Sequence, residues 1–496
     1  MRGALMVCGT TSDAGKSTLV AGLCRLLARL GVTVAPFKGQ NMSLNAMVTA
    51  EGGEIGRAQW LQAVAAGAEP EVAMNPVLLK PTGERTSHVI VLGRPTGERQ
   101  AVDYFGDKRD LVAVVDQALA SLRSRFDVVL CEGAGSPAEI NLLHDDLVNL
   151  GLAARAHMPA VVVGDIERGG VFAHLFGTVA IVPEELSRLV RGFVINRFRG
   201  DPDLLGDGPA QLEARCGVPT LGVLPFLHAL DFDAEDALAV ARTRAAPPPG
   251  ALDVAALLLP RLANFTDLDP LVAEPGVHVR WVGGADELGR PDLVVIPGTR
   301  ATVADLASLH QRGLVEALSA LRAESHPPLV LGVCGGFQML GRRLLDPHSV
   351  ESASADGLGW LPVDTVFATE KVTRHSEAVD YCGRVVSGYE IRHGRLEPFG
   401  DHRPWLFGAI SAHGAISASD ADGTVRGTTL HGLFENDVFR TGFLTEVAER
   451  RGRVWAPSGL SFHAVRQAQI DRVADACEEF LDLPSLWQLV ESAAVP

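Results

Sequence analysis

Short, unbroken runs of Val, Ile, Leu and Ala recur along this chain, and longer stretches with helical spacing separate them. From residue 4 to about 230 the runs are "ALMVCG", "VTVAPFK", "FDVVLCEG", "PAVVVGD", "GFVINR" and "TLGVLPF". Strands that are apolar on both faces are typical of a parallel sheet covered by helices on both sides. The pattern predicts a doubly wound α/β domain with a parallel sheet.

A proline-rich stretch, "EDALAVARTRAAPPPGAL", interrupts this alternation in the way a linker does. The alternation then restarts with "DVAALLLP", "PDLVVIPG" and "PPLVLGVCGG". A chain of 496 residues is also too long for a single core. We therefore predict two α/β domains, over 1–235 and 252–447, with a linker over 236–251. A helical extension over 448–496 is expected to pack on the body without contributing chemistry.

Charge and cysteine content exclude several classes of protein. The formal net charge of −16 leaves no general basic surface, so a nucleic-acid partner is not expected. Seven scattered cysteines lack the spacing of a disulfide framework or a zinc site. The apolar run in "MRGALMVCG" is too short for a signal-peptide core, and nothing downstream supplies about 18 uninterrupted apolar residues for a membrane span. We expect a cytoplasmic enzyme without a membrane partner, and the oligomeric state stays open.

The stretch "GTTSDAGKST" lies between a predicted strand and an amphipathic helix. Its glycines let the backbone curl, so that N–H groups and the helix N-terminus face phosphate oxygens. Lys16 would reach the β- and γ-phosphates of ATP, and the Ser17 hydroxyl would bind Mg²⁺. Five residues separate Gly9 from Gly15, a variant that resembles the phosphate loop of dethiobiotin synthetase and its relatives. The expected ATP contacts are Gly9, Thr10, Asp13, Gly15, Lys16, Ser17, Thr18, Lys38 and Asn196.

Several carboxylates follow predicted strands, at the edge where open α/β sheets bind ligands. Glu132 follows "DVVLC", and Asp165 and Glu167 follow "AVVVG". We expect Ser17, Glu132 and Asp165 to hold Mg²⁺, although which carboxylates do so stays open, and Asp13 is a further candidate. Lys38 ends a strand and is either a contact for the γ-phosphate or activated carboxylate, or an exposed lysine.

The stretch "LVLGVCGGFQML" places Cys334 between glycines, after a strand and before a helix. This is the cysteine form of the nucleophile elbow, and the helix N-terminus favours a thiolate. His431, in "GTTLHGLFEND", is the predicted base, because it also follows a strand. The backbone N–H groups of Gly335 and of the Gly298–Thr299 loop would bind the oxyanion.

These motifs together resemble class I glutamine amidotransferases of the cobyric and cobyrinic acid synthase group. The stretches "VCGGFQMLG", "PGT" and "LHGLFEND" resemble the glutaminase domain of that group. The stretches "APFKGQNMSLNAMVT", "GEIGRAQ", "MNPVLLKP", "DIERGGVFAHLFGT" and "PRLANFTDLDPL" resemble its branch that forms cobyric acid. The resemblance extends over most of both predicted domains.

The resemblance implies an amide ligase with two sites. Its substrates would be adenosylcobyrinic acid a,c-diamide and L-glutamine, and the b, d, e and g propionates of the corrinoid would become amides. ATP and Mg²⁺ would be required, without a tightly bound prosthetic group. The corrinoid contacts are expected among polar residues of the first domain, namely Gln40, Asn41, Asn45, Arg57 and Lys80.

One departure from the amidotransferase pattern concerns the third catalytic residue. Leu433 stands where ordinary triad enzymes carry an acid, two residues after the histidine. The acid is therefore absent or supplied elsewhere, and Glu435 is a weak candidate. Glu167 also stands where the group usually shows Asp.

Three other functions remain as alternatives. A cobyrinic acid a,c-diamide synthase would use the same chemistry on the acetates, and a murein-peptide amidating enzyme would use it on another acceptor. A partition-type ATPase switch would share the phosphate loop but would have no use for "GVCGGFQML" joined to "LHGLF".

Overall fold

The computed structural model of the protein describes residues 1–82, 86–100, 108–228, 247–351, 353–408 and 414–493. The chain divides into two compact units. The first comprises Met1–Ser43, Gly53–Asp231 and Arg466–Pro496, and the second comprises Leu44–Gly52 and Phe232–Val465. Each unit therefore includes a piece of chain from outside its main stretch. Residues 236–246 of the predicted linker lie outside the described residues.

The main sheet of the first unit is built from the apolar runs that the sequence singles out. Its strands are β1 (Gly3–Gly9), β2 (Val34–Phe37), β9 (Val128–Glu132), β10 (Ala160–Asp165), β11 (Val190–Phe198) and β12 (Thr220–Pro225). All pair in parallel, in the order β12-β11-β10-β1-β9-β2. Because the chain starts inside the sheet and adds strands on both sides, the topology is doubly wound.

The helices of the first unit connect these strands. They are α1 (Lys16–Arg29), α2 (Arg57–Ala66), α3 (Arg109–Arg125), α4 (Leu150–Arg155), α5 (Val171–Ile181), α6 (Glu184–Ser187) and α7 (Gly208–Cys216). In α1, Leu19, Leu23, Leu26 and Leu27 recur at helical spacing and are buried. The helix directly follows the phosphate loop, so its N-terminus lies at the carboxyl end of β1.

A smaller sheet in the first unit has no counterpart among the predicted apolar runs. Its strands are β3 (Gln40–Met42), β6 (Val77–Pro81), β7 (Thr86–Val91) and β8 (Arg94–Gln100), paired in that order. The short strand β5 (Glu54–Gly56) belongs to the same unit. The strand β3 has the sequence "QNM". These residues do not show the alternation of apolar and polar side chains that indicates a strand.

The second unit contains a second main sheet. Its strands are β13 (Leu252–Leu257), β14 (Val277–Val282), β15 (Leu293–Ile296), β16 (Leu329–Val333), β22 (Ser417–Ser419) and β23 (Val425–Thr428). The order is β14-β13-β15-β16-β23-β22, and β22 alone in this sheet is antiparallel to its neighbour. The helices are α8 (Asp269–Ala273), α9 (Ala285–Leu288), α10 (Thr302–Gln311), α11 (Leu314–Arg322), α12 (Gly335–Leu340) and α13 (Asp437–Arg450).

A mixed sheet with a long hairpin completes the second unit. It contains β17 (Arg343–Leu345), β18 (Ala355–Asp356), β19 (Val363–Asp380), β20 (Val385–Pro398) and β21 (Leu406–Gly408). The hairpin strands β19 and β20 pair antiparallel with a bulge between Phe367 and Val372. The short strand β4 (Ala46–Val48), from the Leu44–Gly52 segment, packs against both hairpin strands.

The C-terminal helices are α14 (Phe462–Phe480) and α15 (Leu483–Ser492). From Arg466 onward they belong to the first unit. Ile470, Val473 and Cys477 lie in the same apolar core as Leu23 and Leu27 of α1. These helices therefore complete a core that begins almost 450 residues earlier in the chain.

The strand order in both units confirms the predicted α/β class. Each unit has a predominantly parallel main sheet, as unbroken apolar strands indicate. Within the described residues, the helices lack the length and apolar character that crossing a bilayer requires.

Candidate active sites

The phosphate loop lies between β1 and α1, at the carboxyl edge of the first sheet. Lys16 Nζ donates hydrogen bonds to the carbonyl oxygens of Thr11 (2.9 Å) and Gly135 (3.2 Å). Asp13 and Gly15 have φ angles of 59° and 93°, in the left-handed region. The loop therefore curls around the Lys16 ammonium, as a phosphate-binding loop does. Thr10 is buried, whereas Asp13 and Thr18 are exposed.

Asn196 fixes the loop from β11. Its Nδ2 donates a hydrogen bond to the Ala14 carbonyl at 2.9 Å. A Cβ at Gly15 would lie 2.0 Å from that Nδ2 atom, so only glycine fits there. The structure thus brings Asn196 to the phosphate loop, where the sequence analysis expected an ATP contact.

Glu132, the last residue of β9, is the centre of a buried polar cluster. Its Oε1 accepts hydrogen bonds from Ser17 Oγ (2.8 Å) and from Lys38 Nζ (2.9 Å). Its Oε2 accepts a hydrogen bond from Gln62 Nε2 at 2.6 Å. A hydroxyl beside a carboxylate is a donor set that suits Mg²⁺, which typically takes one or two carboxylates together with substrate phosphates. Ser17 and Glu132 therefore fit a magnesium ion.

Asp165, at the end of β10, has a different environment. Its Oδ2 pairs with Arg197 at 2.9 Å, and its Oδ1 accepts a hydrogen bond from the backbone N–H of Glu167 at 2.8 Å. Arg197 has a φ angle of 62°, an unusual backbone conformation for a residue with a side chain. The Glu167 carboxylate in turn pairs with Arg199 at 2.7 Å. Both acids thus have their charges balanced by arginines of β11 and the loop after it.

The residues predicted to contact the corrinoid are mostly buried. Lys80 pairs with Glu54 at 2.6 Å, Arg57 lies over the Trp60 ring, and Asn41 donates a hydrogen bond to Gln59. Of the remaining two residues, Gln40 is partly exposed and Asn45 lies in the second unit. Their roles stay predictions. Arg85, a further basic residue near Lys80 in the sequence that could contact the corrinoid, lies outside the described residues.

In the second unit, Cys334 occupies a sharp turn between β16 and α12. Its φ and ψ angles are 51° and −105°, a strained conformation for a residue with a side chain. A Cβ on Gly336 would lie 1.9 Å from the Ile296 carbonyl oxygen, so the helix can approach β15 only with glycine there. The Cys334 Sγ atom lies 3.7 Å from the Ile391 carbonyl oxygen. This is the geometry of a nucleophile elbow.

His431 follows β23 and faces Cys334. Burial by itself lowers the pKa of His431, but the Asp267 carboxylate and Cys334, which also hydrogen-bonds the ring, outweigh this effect and raise the pKa to about 10. The ring stacks on Tyr389 with 5.3 Å between centroids. The Asp267 carboxylate and Cys334 therefore both favour the protonated form of the His431 ring.

The third member of the array is Asp267, which the sequence analysis did not single out. Its Oδ2 lies 2.7 Å from His431 Nδ1, and its Oδ1 accepts a hydrogen bond from the Gly432 N–H at 2.8 Å. This position is the one for which Glu435 was a weak candidate. Asp267 lies in "PRLANFTDLDPL", a stretch that carried the family resemblance but no assigned role. The signal in the sequence that could have identified Asp267 was an acid in a loop that follows a buried strand.

The predicted oxyanion loop lies against the elbow. A Cβ on Gly335 would lie 2.6 Å from Thr299 Cγ2, and one on Gly298 would lie 3.1 Å from His431 Cε1. Thr299 Oγ1 hydrogen-bonds Asp305 Oδ2 at 2.5 Å and the Arg261 carbonyl oxygen at 3.0 Å. These bonds fix the loop before any substrate binds, which is what oxyanion stabilisation requires.

Comparison with protein families assigns both halves of the chain. Residues 5–239 match the CobQ/CobB/MinD/ParA nucleotide-binding domain, and residues 253–439 match the CobB/CobQ-like glutamine amidotransferase domain. Over its full length the chain is 50% identical to the cobyric acid synthase of Nocardia farcinica, covering 98% of that protein. The chain belongs to the cobyric acid synthase family.

Other members of the cobyric acid synthase family show the same full-length similarity. The Rhodococcus jostii protein is 51% identical over 99% of this chain and 96% of the relative. The Streptomyces avermitilis protein is 50% identical over all of this chain and 97% of the relative. The predicted class of enzyme, an amide ligase with a glutamine amidotransferase domain, is thereby confirmed.

Proposed function

We propose that this enzyme converts the b, d, e and g propionates of adenosylcobyrinic acid a,c-diamide to amides and so forms adenosylcobyric acid. The observation that carries the proposal is that one chain combines a phosphate loop having Ser17 against Glu132 with the Cys334–His431–Asp267 array. Amide formation from a carboxylate needs both, because the carboxylate must be activated and ammonia must be supplied. The name of its relatives, cobyric acid synthase, supports the choice of acceptor.

Glutamine hydrolysis begins when the Cys334 thiolate attacks the carboxamide carbon of glutamine. The oxyanion then accepts hydrogen bonds from backbone N–H groups of Gly335 and the Gly298–Thr299 loop. His431, protonated beside Asp267, donates its proton to the departing nitrogen, so that ammonia leaves and a thioester remains. The neutral imidazole next takes a proton from water, and the resulting hydroxide releases glutamate and restores the thiolate.

Carboxylate activation uses ATP at the first unit. Lys16 and the backbone N–H groups of the phosphate loop would hold the β- and γ-phosphates, and Lys38 would contact the γ-phosphate or the activated carboxylate. Mg²⁺, held by Ser17 and Glu132, would neutralise phosphate charge. The propionate oxygen attacks the γ-phosphorus and ADP leaves, giving an acyl phosphate. Ammonia then attacks the acyl carbon, and phosphate leaves with the amide formed.

Asp165 is proposed as a further magnesium contact only if its pair with Arg197 opens. The Arg197 guanidinium already balances the charge of that carboxylate. Glu132 is therefore the stronger of the two candidates. We also propose a cytoplasmic location, because all seven cysteines are free thiols, as a reducing compartment would keep them.

Mass spectrometry tests the proposal directly. The protein is incubated with adenosylcobyrinic acid a,c-diamide, ATP, Mg²⁺ and glutamine, beside the Cys334→Ala variant. Four successive exchanges of OH for NH₂ are expected with wild type, none with the variant, and all four again when ammonium replaces glutamine. If the diamide is unchanged while glutamine is hydrolysed, the acceptor is wrong, and cobyrinic acid is the substrate to test next.

A further inference from the structure

The Leu44–Gly52 segment comes from the first half of the sequence but packs in the second unit. Asn45, Ala46, Met47, Val48 and Thr49 are each at most 6% exposed. The strand β4 within it packs against β19 and β20. The strand β20 carries Tyr389, which stacks on His431, and Ile391, whose carbonyl lies beside Cys334. The segment is therefore part of the framework around the glutamine-hydrolysing site.

Two asparagine side chains join this segment to the loop before Asp267. Asn45 Oδ1 accepts a hydrogen bond from the Phe265 N–H at 3.3 Å. Asn264 Oδ1 accepts a hydrogen bond from the Ala46 N–H at 2.9 Å. Asn264 has a φ angle of 51° and is buried, so its strained backbone is maintained by the surrounding contacts. The two bonds run in opposite directions between the same two pieces of chain.

The loop that these bonds hold also contacts two parts of the hydrolytic site, namely Asp267 and the oxyanion loop. The Asp267 N–H donates a hydrogen bond to the Asn264 carbonyl at 3.0 Å, which ties the acid to the clamped residue. The Ala263 N–H donates a hydrogen bond to the Gly298 carbonyl at 2.9 Å, on the oxyanion loop. A shift of the Leu44–Gly52 segment would therefore displace the acid that orients His431 and the loop that faces Cys334.

We propose that Asn45 and Asn264 are positioning residues for glutamine hydrolysis. The inference rests on the proposed function of the two sites. It assigns to Asn45 a role in orienting Asp267 and His431.

The test uses the full chain with Asn45→Ala, Asn264→Gly and the control Met47→Leu. Glycine tolerates the left-handed backbone at position 264, so that variant removes the side-chain bond without adding strain. Met47→Leu retains the buried volume in the same segment. Glutamate release is measured as a function of glutamine concentration and of pH, and amidation is measured separately with ammonium.

Both asparagine variants are expected to lose about 10-fold or more in kcat for glutamine hydrolysis, because small misplacements of catalytic groups cost that much or more. The KM for glutamine should change by less than about 3-fold, since the side chains do not touch the substrate. The alkaline pH at which hydrolysis declines should also be lower in the variants than in wild type, because a displaced Asp267 no longer stabilises the protonated His431 ring.

Several results would overturn the inference. These are wild-type hydrolysis in both asparagine variants, an equal loss in Met47→Leu, or a parallel loss of ammonium-driven amidation. A wild type that hydrolyses no glutamine under any condition would count against the proposed function itself. Melting curves of all three variants show whether any loss comes from unfolding.

Discussion

The Asp267 carboxylate and the His431 imidazole are 2.7 Å apart in space and 164 positions apart in sequence. Asp267 also receives the Gly432 N–H, so it fixes the backbone beside the histidine as well as the ring. Ordinary triad enzymes place an acid two residues after the histidine, and this chain has Leu433 there. A carboxylate from another loop supplies the same contact to Nδ1.

Asp267→Asn should therefore impair glutamine hydrolysis while leaving the fold intact. The amide retains the shape but loses the charge that holds the imidazolium, so kcat should fall by at least about 100-fold. Glutamate release is the measurement, with Glu435→Gln as the matched control. A larger loss in Glu435→Gln than in Asp267→Asn would contradict the assignment of the acid.

Cys334→Ala should separate the two chemistries. Without the sulfur no thioester forms, so glutamine-dependent amidation should be lost completely, while ammonium-dependent amidation should stay within about 2-fold of wild type. Product formation with each nitrogen source is the measurement. Cys382→Ala, at an exposed free cysteine, is the control and should behave like wild type with both sources.

The free energy of unfolding should depend on pH above neutrality because of His431. The pKa of His431 is raised from 6.5 to about 10 in the folded protein by Asp267 and Cys334 against the effect of burial. A raised pKa stabilises the folded state fully below about 6.5, and this contribution is lost as the pH rises through about 10. The difference in free energy of unfolding between wild type and His431→Gln should therefore shrink between these two values. A difference that grows with pH would contradict the ion pair.

Lys38→Met should leave Glu132 as a buried charge without its cation. The Lys38 and Glu132 side chains are 4% and 0% exposed. Removing one partner of a buried pair costs about 3 kcal/mol, so urea unfolding should occur at lower concentrations. Arg2→Met, which breaks an exposed pair with Asp127, should cost less than about 1 kcal/mol. Equal losses in Lys38→Met and Arg2→Met would contradict a buried pair between Lys38 and Glu132.

The C-terminal helices should be needed for the stability of the first unit. Ile470 is buried in the core that includes Leu23 and Leu27, so Ile470→Ala should cost about 2–5 kcal/mol. Val454→Ala, at a position that is 96% exposed, is the control and should change stability by less than about 0.5 kcal/mol. The rise in melting temperature on adding ATP reports on the first unit, because the phosphate loop lies there. Equal melting temperatures for both variants would show that the helices do not support that core.

The sequence by itself determined the features that local chemistry specifies. The apolar runs predict parallel strands, because burial on both faces needs no information from distant residues. Gly9, Gly15 and Lys16 predict the phosphate loop, and the glycines around Cys334 predict the elbow, because both turns are made within a few consecutive residues. The α/β class and the family resemblance follow from these motifs and are confirmed.

Tertiary structure alone decided which distant groups meet. It selected Asp267 for His431, paired Asp165 with Arg197, and placed Asn45 in the second unit. It also returned the C-terminal helices to the first unit. Each outcome depends on loop closure over tens to hundreds of residues, and the free energy that fixes it comes from burial and hydrogen bonds of the whole fold. The spacing of residues in the sequence does not indicate that free energy.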